Sequence, residues 1–295
     1  MTTYHSVGTL KGVGGLDLYY QNWNPDGKVK GILVLIHGLG GHSGLYGNII
    51  EHLLPQKYSV YALDLRGHGN SPGQRGYINA WAEYRDDVRN FVKMIRQQNP
   101  ECPIFLFGHS MGGMIVLEYI LRYPEDNSAL QGVIAVAPSV GEVKVSLVRV
   151  LLGKMLSQVW PRFSLNTGLD MTAGSRDPQV IAAYVQDPLR HTRATARFST
   201  EFFATLKWIQ THAQEWQAPL LILHGGADRI VLPEGSKIFY QRINYPDKLR
   251  IEYPEAYHDL HCDLNYQEVL IDLSNWMNKH LITEMATLEP IMTNE

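Results

Sequence analysis

Short apolar runs recur along the chain, each bounded by turn residues. They cover 31–36, 59–63, 104–107, 133–137, 220–223 and 249–253. Most are rich in Ile, Leu and Val without polar alternation, the pattern of strands covered on both faces. Between these runs the apolar period changes. In 79–98, Trp81, Tyr84, Val88, Phe91, Val92 and Ile95 fall on one stripe, which predicts an amphipathic helix. A second helix is predicted over 111–123. Strands alternating with helices predict an α/β fold, a mostly parallel central sheet with helices on both faces. Near the start, 7–10 and 16–23 flank Lys11-Gly12-Val13-Gly14-Gly15 and predict an antiparallel hairpin at the sheet edge.

One spacing breaks this rhythm. About 80 residues separate the run ending at Ala137 from the one starting at Leu220, whereas a crossover needs about a dozen. Within the gap, Val148, Leu151, Leu152, Met155, Leu156 and Val159 form an apolar helical stripe, and 178–186 and 197–211 also read as helices. The expected organisation is a core of 1–138 and 213–285 carrying an inserted helical cap over 139–212. Apolar residues left over on such a cap would line a lipid-accepting cleft. A disordered tail is expected over 286–295.

Composition narrows the class. The chain has 295 residues, 45% hydrophobic and 19% charged, with a net charge of −3. No basic excess or polybasic block argues for nucleic acid. No charged segment followed by an apolar one marks a signal peptide at the start, and no apolar run approaches a membrane span. A soluble, cytoplasmic chain is expected. Two cysteines, Cys102 and Cys262, give no disulfide framework.

The chemistry centres on Gly108-His109-Ser110-Met111-Gly112. This G-x-S-x-G pattern lies between a predicted buried strand and a predicted helix. There the serine occupies a sharp strand-to-helix turn with its oxygen above the sheet edge. Side chains at the glycine positions would collide with the neighbouring strand or helix. A serine hydroxyl needs a base, and the base needs an orienting acid. In this arrangement the chain order is serine, acid, histidine. Asp228 follows the strand over 220–223, and His258 follows the last one, so all three candidates fall on the carboxyl rim of the sheet. His261 competes with His258 for the base; Asp247 and Asp259 compete with Asp228 and read as solvated loop carboxylates. His109 sits beside Ser110 and cannot fold back to serve as its base. It is assigned to packing around the site and, with His261, to the substrate side. His37 and His224, near strand ends, are expected to make structural hydrogen bonds. The negative oxygen of a tetrahedral intermediate needs donors. The loop Ile36-His37-Gly38-Leu39-Gly40 follows an early strand, and the backbone N–H groups of Leu39 and Met111 are the expected pair.

With these motifs in order, the chain resembles the α/β-hydrolase superfamily, and within it the monoacylglycerol lipase and lysophospholipase group of serine aminopeptidase S33-type hydrolases. The stretches 37–46, 62–73, 175–178 and 183–189 carry the narrower likeness. The resemblance implies Ser110, Asp228 and His258 as a catalytic triad and a mobile lipid-facing cap. It implies no metal or organic cofactor, and as reaction the hydrolysis of acylglycerol or lysophospholipid esters. It also implies that His261 matches a head-group contact. The animal monoacylglycerol lipases carry a glutamate and an arginine as polar anchors where this chain has Gly41 and Leu45. Peripheral membrane contact through the cap is a further expectation. The alternatives on the same scaffold are a thioesterase, a perhydrolase or a slow ligand-binding receptor.

Overall fold

The computed structural model describes residues 4–141 and 147–287. The chain opens with two antiparallel strands, β1 (Tyr4–Lys11) and β2 (Asp17–Asn24), the first longer at both ends than predicted and the second shifted by one residue. Then come β3 (Gly31–Ile36), α1 (Gly47–Leu53), β4 (Tyr58–Leu63), α2 (Ala82–Gln98), β5 (Ile104–His109), α3 (Met111–Arg122) and β6 (Gly132–Val136). The segment that follows holds α4 (Leu147–Val159), β7 (Ser164–Asn166), α5 (Pro178–Gln186), β8 (Arg193–Thr195) and α6 (Ala196–His212). The chain closes with β9 (Leu220–Gly225), α7 (Pro233–Arg242), β10 (Lys248–Tyr253) and α8 (Tyr266–Thr287).

Eight strands form one sheet in the order β1-β2-β4-β3-β5-β6-β9-β10. Every pairing from β4 to β10 is parallel. All residues of β3, β4, β5, β6 and β9 are buried, which is why these runs show no polar alternation. Their side chains divide between two cores. Ile32, Val34 and Ile36 of β3 pack with α2, α3 and α6 on one face. Leu33 and Leu35 pack with α1 and α8 on the other. The stripe read along 79–98 is buried at every position. The two-stranded ribbon β7–β8 has no signal in its three-residue strands, and α1, α7 and α8 lacked one strong enough to separate them from loops. Of the tail expected over 286–295, the first two residues continue α8 and the rest lies outside the described residues. The side chain of Val148 also lies outside them.

The sheet places the site. From β3 the chain moves to β4 on one side and later returns to β5 on the other, so loops after β3 and β5 meet at a switch of direction, where open α/β sheets collect ligands. The loop after β4 is held by a buried pair: Arg66 Nε and Nη2 donate to the Asp87 carboxylate at 2.6 and 2.9 Å, and Val13 N–H donates to the same group at 2.7 Å. The segment between β6 and β9 grips this rim. Thr195 N–H donates to Gly76 O at 3.0 Å and His191 N–H to Gly40 O at 3.1 Å. His42 Nε2 meets Asp187 Oδ2 at 2.7 Å.

Candidate active site

Ser110 lies at the junction of β5 and α3 with φ +56° and ψ −118°, a conformation that costs a non-glycine residue of order 1–3 kcal/mol. The surroundings enforce it. Ser110 N–H donates to Val136 O at 2.9 Å, and Ser110 O accepts from Met114 and Ser139 N–H, each at 3.1 Å. The flanking glycines let backbone approach backbone. A Cβ on Gly108 would lie 2.3 Å from Gly112 O, and one on Gly112 would lie 2.2 Å from Ile36 O. The sharp turn expected from the motif is therefore built, and Ser110 keeps 9% of its surface exposed.

Asp228 and His258 are brought together. Nδ1 of His258 and Oδ2 of Asp228 lie 2.7 Å apart, both residues almost fully buried. The other oxygen of Asp228 accepts from Ile230 and Val231 N–H at 2.8 and 2.9 Å. Burial opposes charge on this carboxyl, but His258, His224 and the backbone donors outweigh it, and its pKa falls well below the ordinary carboxylate range. On His258 burial works against the imidazolium, and the charge and hydrogen bond of Asp228 override it. The net pKa is raised. Nδ1 thus carries the proton that Asp228 accepts, and Nε2 is the basic nitrogen.

Ser110 and His258 are not hydrogen-bonded to each other in this resting arrangement. Among the described residues, Ser110 Oγ meets Ser139 Oγ at 3.4 Å. Such contacts are often long in a free enzyme and tighten when substrate binds. The neighbour of Ser110, His109, packs on His258 with ring centroids 4.9 Å apart.

The loop after β3 runs directly over the serine. A Cβ on Gly38 would lie 3.0 Å from Ser110 Cβ. His37 clamps this loop: its Nδ1–H donates to Gly38 O at 2.7 Å and its Nε2 accepts from Leu65 N–H at 3.0 Å. Burial pushes the His37 pKa down to about 4, so the ring is neutral and can play both parts at once. His224 likewise makes a structural hydrogen bond, to Val231 O at 2.9 Å. Met111 opens α3, so its N–H is one of the helix donors with no intrahelical acceptor. Asp64, not singled out from the sequence, anchors the next stretch. Fully buried, it accepts from Ser43 N–H at 2.6 Å and Asn70 N–H at 2.8 Å. Its place just past the end of β4 was the available signal.

His109 is neutral and structural in its contacts. Tyr46 Oη donates to its Nδ1 at 3.1 Å, and its Nε2 lies 3.3 Å from both Asp259 Oδ1 and His258 O. Burial drives its pKa to about 3. His261 stacks on Tyr46 at 4.5 Å, and neither of its ring nitrogens has a hydrogen-bond partner among the described residues. Burial lowers its pKa to about 4. One expectation is overturned: Asp259 is no solvated loop carboxylate. It is 7% exposed and faces His109, because its N–H donates to Gly174 O, between β6 and β9, at 2.7 Å and turns the residue inward. Tyr46 closes the 37–46 stretch that carried the family likeness, but nothing in the sequence gave it a role of its own.

Known proteins are similar to this chain along nearly its whole length. The family model described as "Serine aminopeptidase, S33" matches residues 27–265. The chain is 34% identical to the monoacylglycerol lipase of Mycolicibacterium smegmatis, over 95% of this chain and 100% of that one. It is 29% identical to the monoglyceride lipase of Rattus norvegicus, over 97% and 95%. Among solved structures, the monoacylglycerol lipase of Paleococcus ferrophilus aligns with a TM-score of 0.79 at 32% identity, covering 95% of this chain and all of that one. A soluble variant of Saccharomyces cerevisiae monoglyceride lipase in complex with a substrate analogue aligns with a TM-score of 0.82 at 25% identity, covering 93% and 96%. With an α/β-hydrolase sheet, a serine in the strained turn after its central strand and these relatives along nearly its whole length, the chain belongs to the serine aminopeptidase S33 family.

Proposed function

We propose that this protein hydrolyses carboxylic esters of acylglycerol or lysophospholipid type through an acyl-enzyme, with Ser110, Asp228 and His258 as the triad. The observation that carries the reading is the 2.7 Å contact of His258 with Asp228 on the same rim as a serine in a strained turn. Ser110 Oγ turns from Ser139 toward His258, attacks the ester carbonyl and passes its proton to Nε2. Leu39 and Met111 N–H stabilise the oxygen that becomes negative. His258 then gives the proton to the departing alcohol. Water enters, loses a proton to His258 and releases the fatty acid. Asp228 holds the ring in the productive tautomer throughout.

Residues 139–212 act in this reading as a cap, with His109 and His261 on the substrate side. Gly41 and Leu45 stand where the animal monoacylglycerol lipases carry a glutamate and an arginine, so recognition of the alcohol rests on fewer polar contacts. A panel of glycerol, lysophospholipid and simple alkyl esters sharing one acyl chain tests both points. The expected result is turnover of all three, with kcat/KM differing by no more than about a hundredfold, the discrimination one or two head-group contacts supply. Absence of ester turnover across the panel would overturn the reading.

The outer face of α4 supports a docking role. Leu151, Leu152, Met155 and Val159 are 50–80% exposed, and Trp160 beside them is 60% exposed. Isolated exposed apolar residues are ordinary, but a contiguous set on one helix marks an interaction surface. Among the described residues no helix is long and apolar enough to cross a membrane, so the contact proposed is peripheral. Liposome co-sedimentation is expected to retain the native chain and to lose most of it when Leu151 and Val159 are both replaced by serine. Equal retention of the two proteins would remove the docking role.

A further inference from the structure

The mechanism leaves the buried carboxylate of Asp259 unused. Asp259 follows the base directly, and a carboxylate oxygen of Asp259, one ring nitrogen of His109 and one of His258 lie within 4.8 Å of one another. Two imidazoles and a carboxylate are the donor types of a three-ligand zinc site with an open fourth position. We propose that His109, His258 and Asp259 bind a single Zn²⁺-like cation that inhibits the enzyme by occupying its base.

The surroundings suit the ion. His109 Nε2 and Asp259 Oδ1 are already 3.3 Å apart, close to the separation of about 3.4 Å between donors of a tetrahedral zinc. The third donor, a ring nitrogen of His258, lies within 4.8 Å of both. Nδ1 of His258 is held by Asp228 at 2.7 Å, which leaves Nε2 for the metal. A carboxylate on the far nitrogen is the usual support of a zinc-bound histidine. His109 has the matching support: with Nε2 on the ion its proton moves to Nδ1, where Tyr46 Oη accepts it across 3.1 Å. The ion is held by nitrogen as much as by oxygen, which selects zinc over magnesium. No bond in a substrate is made or broken by it; it removes the nitrogen that Ser110 needs.

Binding itself does not depend on the hydrolytic reading, whereas inhibition does, and the experiment separates them. Calorimetric titration of the Ser110→Ala protein with Zn²⁺ is expected to give one site per chain. Asp259→Asn in that background is expected to weaken it by more than about tenfold. In the chain with Ser110 intact, Zn²⁺ is expected to block fluorophosphonate labelling, a chelator to restore it, and Mg²⁺ to have no effect. Zinc affinity unchanged by Asp259→Asn in a protein that melts as the parent does, or equal inhibition by Mg²⁺, overturns the proposal. So does labelling that zinc leaves intact while one ion is bound.

Discussion

Ser110→Ala is expected to abolish covalent labelling by a fluorophosphonate and to lower kcat for esters by about 10⁴–10⁶-fold, the range seen when the nucleophile of a serine triad is removed. The substitution deletes one oxygen and leaves the scaffold alone. The turn is fixed by backbone hydrogen bonds from Ser110 to Val136, Met114 and Ser139, none of which uses Oγ. Alanine therefore inherits the same φ of +56° and the same strain, and the folded stability should stay within about 0.5 kcal/mol of the parent, as for a change that removes no structural contact. That pairing of outcomes matters. A residue needed only for folding would lose activity and stability together. A nucleophile loses activity alone. Residual turnover should come from Leu39 and Met111 N–H and from substrate binding, because a prepared oxyanion site still favours the tetrahedral geometry when the serine is gone. Measured kcat within tenfold of the parent, with labelling retained elsewhere, would falsify the assignment of Ser110.

The sheet and the three catalytic candidates were legible because they obey local rules. A strand buried on both faces must be apolar throughout, and a strand-to-helix turn that brings Gly108 and Gly112 against backbone must be glycine. Chain order then picked out Asp228 and His258, whose contact the structure makes at 2.7 Å. What could not be read depends on the third dimension. Asp259 looked like a loop carboxylate because nothing local says that Gly174, far away in the chain, takes its N–H and turns it inward. Asp64 and Tyr46 serve the site only through residues brought beside them by the fold: Ser43 and Asn70 for the one, His109 and His261 for the other. The His42–Asp187 contact joins an early loop to the inserted segment, a pairing that periodicity does not encode.

Asp228→Asn is the second large effect, and its signature is in the pH profile as well as the rate. The carboxylate does two things to His258: it fixes the proton on Nδ1, and it favours the imidazolium that forms as Ser110 gives up its proton. An asparagine can present its NH₂ to Nδ1 and so favour the wrong tautomer, with the proton on Nε2. The expected loss in kcat is about 10⁴-fold, the size found where that tautomer is lost. Burial lowers the His258 pKa, Asp228 more than offsets it, and Asp259 also raises it while Arg190 opposes. Activity needs the neutral ring, so the native acid limb should have its midpoint above the ordinary 6.5 of a histidine. Removing the Asp228 charge leaves burial dominant, with Asp259 still present. The acid limb of the residual activity should then move to lower pH even as the plateau falls. A residue that merely packed against the ring would lower the plateau without moving the limb. Profiles of kcat/KM from pH 5 to 9 for both proteins decide it, since that ratio reports the free enzyme. A limb that stays in place or moves upward in Asp228→Asn would remove Asp228 as the group that sets the charge of the base.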